Sequence, residues 1–204
     1  GQRAGATGGM SAPRLWLVRH ARPEVAPGLC YGRLDVAADA RHSRESARLL
    51  AQALPPRLAA LHHSPLQRCE LLAQNLLSLR ADLASKAEPR ITEMDFGQWE
   101  GRAWNDIARA DIDAWTTRFG HHAPGGGEPL AAMLTRVSAA LDEAAAQAHA
   151  GGGDVVWITH AGVARCVHWL LTHGAARMPL SHEWPQSAPG YGAWTTVLLP
   201  LKGR

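Results

Sequence analysis

The sequence predicts an α/β fold with a mostly parallel sheet, and three observations carry that expectation. Short apolar runs end abruptly in polar residues, amphipathic stretches separate them, and Pro or Gly clusters mark the junctions. Arg14–Arg19 (RLWLVR) is the first such run and reads as a buried strand. Pro23, Pro27 and Gly28 then form a loop. Asp39 to Leu54 places Ala47, Leu50, Ala51 and Leu54 at helical spacing and stops at Pro55-Pro56. Leu58–His63 is read as the second strand. Ser64 suits the N-cap and Pro65 the first position of a helix running to about Arg80. Ile91 to Gly127, rich in Trp, Gly and Asp, reads as short helices and loops. Gly125–Gly127 is expected to open a helix from Glu128 to about His149, whose apolar stripe is Leu130, Leu134, Val137 and Leu141. Gly151–Gly153 ends it. Asp154–Thr159 (DVVWIT), apolar and β-branched, is the plainest strand, a helix follows from about Val163 to Leu171, and Ala193–Leu199 is a last strand at an edge or near the terminus.

Composition narrows the classes of function. Of 204 residues, 46 % are hydrophobic and 19 % charged, a globular balance. A chain of this length buries roughly 70 % of its unfolded surface and needs no staple. No run approaches the about 18 apolar residues of a membrane span. Residues 1–13 are read as a flexible tail ahead of a single domain over 14–204, and residues 1–10 lack the apolar stretch of a secretory signal. The formal net charge is +3, but 19 of the 21 basic residues are Arg scattered along the chain, so no nucleic-acid partner is expected. Cys30, Cys69 and Cys166 have no CxxC spacing, which argues against a disulfide framework or zinc site and for a reducing cytoplasm. The pairs His62-His63 and His121-His122 form no chelate by themselves, since adjacent strand residues point to opposite faces. Oligomeric state is left open.

In open α/β sheets, ligands bind beyond the carboxyl ends of the strands. The first strand ends in Arg19-His20, the second in His63-Ser64 with Arg68 one turn into the next helix, and DVVWIT ends in His160. Two arginines and at least two histidines thus converge on one rim, where helix N-termini add backbone N–H donors. Such a pocket suits a phosphate group, because the guanidinium fork matches its geometry.

LVRHARP, SPLQRCE, EMDFGQWEG and ITHAGVAR, in that order, resemble the motifs of the histidine phosphatase superfamily, also called phosphoglycerate-mutase-like, over Leu15 to about Leu199. The FGQWEG stretch and the CYG loop look most like its alpha-ribazole phosphatase branch. The resemblance implies a three-layer α/β/α sandwich and a phosphomonoesterase acting on a small phosphate monoester, with alpha-ribazole 5′-phosphate of cobalamin biosynthesis as the substrate of that branch. It implies that His20 is the nucleophile that becomes a phosphohistidine. Arg19 and Arg68 clamp the phosphoryl oxygens, and His160 is a cationic donor to the same group. Glu93 is the acid that protonates the leaving oxygen. No metal or other cofactor is implied, because these side chains supply the positive charge.

Asp95 and Glu100 are alternative acids that spacing does not separate from Glu93; only the motif register favours Glu93. The chain departs from the pattern at Ala21, where the family carries Gly, at Pro23, where it carries Thr, and in lacking a downstream Asn; Arg22, Gly32 and Arg33 are candidates to compensate. Trp99 and Trp104, close in sequence to Glu93, are candidates to stack on a planar substrate. Two alternatives stand beside hydrolysis: a phosphoglycerate mutase, and a phosphate-binding or regulatory protein without turnover. Only 66 residues lie between Glu93 and His160, leaving little room for the insertion with which mutases shield their intermediate.

Overall fold

A computed structural model describes residues 12–200. Residues 1–11, most of the segment read as a tail, lie outside the described residues; Pro13 does not, and its carbonyl accepts a hydrogen bond from the Leu199 N–H at 3.0 Å. The five strands are β1 (Arg14–Arg19), β2 (Leu58–His63), β3 (Lys86–Ala87), β4 (Asp154–Thr159) and β5 (Trp194–Leu198). They form one sheet in the order β3-β2-β4-β1-β5. The β3-β2, β2-β4 and β4-β1 pairings are parallel, and β5 runs antiparallel to β1 at the edge. The two-residue β3 carries no apolar run long enough to be read from sequence.

Alternation along the strands builds the layers. Leu15, Leu17, Val155 and Trp157 face α4 (Leu130–Gly151) and α5 (Ala161–His173). Trp16, Val18, Val156 and Ile158 face the opposite way, toward α1 (Ala40–Ala53) and α2 (Gln67–Leu79). Side chains that alternate with period two on strands buried on both faces give an α/β/α sandwich with two cores. The remaining helix, α3 (Arg109–Thr117), belongs to the Trp-rich segment, where Cys30, Trp99 and Ile107 form a smaller third core with Phe96, Trp104, Ile112 and Trp115. Among the described residues no helix is long and apolar enough to cross a membrane.

Three helix starts differ from the sequence reading. α2 begins at Gln67, with Leu66 in the cap position, so Ser64 is not the N-cap and Pro65 not the first helical residue. The Ser64 hydroxyl is drawn instead to His160, a long-range partner invisible to local rules. Gly125–Gly127 does not open α4: Pro124–Gly126 is a 3-10 turn, and α4 starts at Leu130 behind Pro129, which presets the cap backbone at φ −65°. α5 begins at Ala161, directly after His160. The far end of α4 agrees with expectation, because Gly152 closes it in the left-handed conformation at φ 66°.

Candidate active site

Parallel pairing of β1, β4 and β2 brings Arg19, Thr159 and His63 to the same end of the sheet. The next residue on each chain continues the ladder: the His20 N–H donates to the Thr159 carbonyl at 3.2 Å, and the Ser64 N–H to the Ile158 carbonyl at 2.9 Å. His20 and His160 are therefore neighbours, their ring centroids 5.3 Å apart. Both are buried, as is Arg68.

His20 Nδ1 lies 2.8 Å from the Ala21 carbonyl, an acceptor only, so Nδ1 carries the hydrogen. Burial, aided by the charges of Arg68 and then Arg19, pushes the ring down to about 3, against the Ala21 hydrogen bond, which favours the cation. His20 is thus a neutral imidazole with its lone pair on Nε2. Burial also takes His160 well below the ordinary histidine range, with Arg68 the largest neighbouring charge and His20, Arg136 and Arg19 adding to it. These surroundings favour the neutral ring over the cationic one that the resemblance implies. Ser64 Oγ lies 2.8 Å from its Nε2, and a hydrogen donated there by Ser64 would leave the His160 hydrogen on Nδ1. The Cys69 Sγ–H next to it donates to the Thr159 carbonyl at 3.4 Å, and burial pushes that thiol up to about 12, so it is no nucleophile.

The arginines are tethered by their ends. Arg68 donates from Nη1 to the Leu34 carbonyl at 2.7 Å and from Nη2 to the Gly32 carbonyl at 2.5 Å. Arg19 donates from Nη1 to the Pro189 carbonyl at 3.1 Å. Five buried side-chain polar atoms lack a partner among the described residues, and three of them are Arg19 Nε, Arg68 Nε and His160 Nδ1. A buried polar atom without a partner costs about 1–3 kcal/mol, and two of these three, the arginine Nε–H groups, can only donate, which marks a place made for an anion.

Glu93 lines the same cavity as Arg19 and His20. Its Oε1 accepts from the Met94 N–H at 3.0 Å and its Oε2 from the Gly162 N–H at 3.1 Å, in the first turn of α5. A methyl group on Gly162 would overlap the carboxylate, so the glycine is what admits Glu93. Asp95 and Glu100 are engaged elsewhere: Asp95 accepts from the Gly97 N–H, and Glu100 from those of Gly32, Arg33, Leu34 and Phe96. Neither lines the cavity.

That cavity, about 460 Å³, is lined by Arg19, His20 and Glu93 at one end. Arg68 and His160 lie behind its surface. Phe96, Trp104, Trp115, Phe119 and Trp184 form the walls beyond, with Arg165 among them. Trp104 is thus placed to meet a substrate, whereas Trp99 is buried in the third core. Arg22 and Arg33 are exposed and do not line the cavity; Gly32 serves it through its carbonyl to Arg68. Arg165, Trp115, Trp184 and Tyr191 were not singled out from the sequence. Arg165 had a signal, since it stands three residues after Gly162 on one helix and so shares its face.

An α/β sheet that delivers an unprotonated imidazole, two tethered guanidiniums and a carboxylate to one cavity defines a protein that handles phosphoryl groups. The chain belongs to the histidine phosphatase superfamily (branch 1), whose family model matches residues 15–192. It is similar to the adenosylcobalamin/alpha-ribazole phosphatase of Escherichia coli K12, 27 % identical over 188 residues, or 90 % of this chain and 89 % of that one. It is also similar to phosphoserine phosphatase 1 of Hydrogenobacter thermophilus, 34 % identical over 135 residues; the match covers 64 % of this chain and spans 63 % of that protein's length. Among solved structures, a mycobacterial glucosyl-3-phosphoglycerate phosphatase shares the fold with a TM-score of 0.75 and 23 % identity, covering 91 % of this chain and 89 % of that one.

Proposed function

We propose that this chain is a phosphomonoesterase that hydrolyses a small phosphate monoester through a phosphohistidine at His20. The observation that carries the reading is the set of unpartnered donors on Arg19, Arg68 and His160 around a neutral histidine whose Nε2 is free to attack. The Nε2 lone pair forms a bond to phosphorus as the bond to the leaving oxygen breaks. The three donors take up the charge on the equatorial oxygens, which is most of what phosphoryl transfer asks of a protein. A protonated Glu93 gives its proton to the leaving alkoxide, and as carboxylate it takes one from the water that attacks the phosphohistidine, releasing phosphate and free His20.

This chemistry needs no metal ion in our reading, since the arginines supply the charge. For the substrate we propose alpha-ribazole 5′-phosphate: the aromatic walls offer a planar, apolar leaving group a surface to lie on, and the Escherichia coli relative matches along most of its length. The domain would span residues 14–204. Cys30, Cys69 and Cys166 are free and buried, which fits work in a reducing cytoplasm.

The test is phosphate release from a panel of monoesters, alpha-ribazole 5′-phosphate and sugar phosphates included, with and without chelator. Turnover is expected to survive the chelator, and His20→Ala to lose at least about 10⁴-fold in kcat together with the acid-labile phosphoenzyme. Absence of turnover on every ester would replace the reading with a binding protein. Transfer between phosphoglycerates faster than hydrolysis would replace it with a mutase.

A further inference from the structure

Arg19 and Arg68 are each held by one loop, and the two loops meet through the only two tyrosines in the chain. The loop after β1 supplies the Gly32 and Leu34 carbonyls to Arg68, and its Tyr31 ring lies 5.4 Å from the same guanidinium. The loop before β5 supplies the Pro189 carbonyl to Arg19, and its Tyr191 ring lies over that guanidinium at 4.0 Å. The two phenol oxygens are 3.1 Å apart. The second loop is also registered on the nucleophile, because the Gly192 N–H donates to the His20 carbonyl at 2.8 Å. Burial and the bond to Tyr191 raise Tyr31 above the ordinary phenol range, so it remains a hydrogen-bonding hydroxyl at neutral pH.

We propose that the Tyr31–Tyr191 hydroxyl bridge is a clasp that positions both arginines, fixing the spacing of the phosphoryl clamp around His20. Arg19 and Arg68 reach the pocket from different elements, and no side chain bonds one to the other. A long arginine side chain gives up rotamer freedom whenever it binds an anion. Stacking and end-on hydrogen bonds remove that freedom beforehand for each arginine, and the bridge does so for the pair. The Nε–H groups are left free. Preorganised donors of this kind bind a transferring group with little rearrangement.

The clasp rests on the phosphate-pocket reading, but its test does not need turnover. Titration calorimetry with inorganic phosphate would compare the wild type, Tyr31→Phe, Tyr191→Phe and the double variant. Phenylalanine keeps each ring and removes only the bridge. Each single change is expected to weaken phosphate about fivefold. The double change is expected to weaken it no further, because one bond is lost in all three proteins. Losses that multiply in the double variant, or folded single variants with wild-type affinity, would overturn the clasp. Carbon-13 labelling of tyrosine gives a second readout on the unaltered chain, which carries two tyrosine ring systems. Phosphate is expected to shift the signals of both rings, and a shift of neither overturns the proposal. A protein that binds phosphate through the clasp yet hydrolyses no ester would remove the phosphatase reading alone.

Discussion

The phosphate floor and the leaving-group wall of one cavity are built by different means. The floor comes from three parallel strand ends and the start of α2; His20, Arg68 and His160 are buried, and His20, Arg19 and Arg68 are tied to backbone carbonyls. The wall comes from 3-10 turns, the short helix α3 and the segment near Trp184, and it is made of aromatic rings packed edge to face or stacked on one another. Hydrogen bonds to backbone fix a group to within a few tenths of an ångström, which phosphoryl chemistry requires. Ring packing fixes a shape and an apolar surface, which suits recognition of a leaving group. The floor is therefore where a substitution should stop the reaction, and the wall where it should change the choice of substrate.

After the loss of His20 itself, the largest break is expected where the two regions meet, at Gly162. Gly162→Ala places a methyl group where the Glu93 carboxylate sits and forces that carboxylate, the proposed acid, to shift. kcat should fall about 10²-fold, within the range that general acid–base groups supply, while the affinity for inorganic phosphate is retained. Steady-state kinetics beside phosphate titration checks this; an equal loss in both would move Glu93 from proton transfer to binding.

A smaller and selective effect is expected in the wall. Trp104→Ala should lower kcat/KM roughly tenfold for esters with a planar aromatic leaving group. Small aliphatic phosphates, which do not reach the ring, should be turned over as before. A uniform loss across both kinds of ester would show that Trp104 supports the floor rather than the leaving group.

A further effect is on stability, and His20 of the floor carries part of it. His20 has a folded pKa of about 3 against the ordinary 6.5, so between those values the unfolded chain binds a proton that the folded ring does not. The contribution is fully present above about pH 6.5 and is lost as pH falls toward about 3, with a slope of at most about 1.4 kcal/mol per pH unit for one proton. Urea unfolding between pH 6.5 and 4 should show stability falling with acid. His20→Asn should make the slope shallower, whereas Trp104→Ala should leave it unchanged.

The floor was legible in the sequence because its signals are local and repeated. A strand that turns polar at its end declares both its boundary and its rim residue, as RLWLVR-His20 and DVVWIT-His160 do. The four motifs supplied the register that picked out Glu93, which lines the cavity where Asp95 and Glu100 do not. Ser64 was misplaced because a serine before a proline-led helix reads as a cap, and nothing nearby shows that its hydroxyl lies 2.8 Å from a ring 96 residues away. Trp99 and Trp104 were indistinguishable for the same reason. They differ only in which of them the third core covers.

The sequence by itself determined four of the strands, the mostly parallel sense of their sheet and the residues on its carboxyl rim, since hydrophobic period and turn chemistry are written within a few residues of each position. Only the tertiary structure decided the protonation state of the histidines, the pairing of Tyr31 with Tyr191 and the face that Arg165 shows to the cavity. Burial and the charge of Arg68 set the first, and the approach of loops 160 residues apart set the second. The third follows from α5 packing beside Glu93. Desolvation and long-range contact are properties of an assembled interior, and no stretch of chain carries them alone.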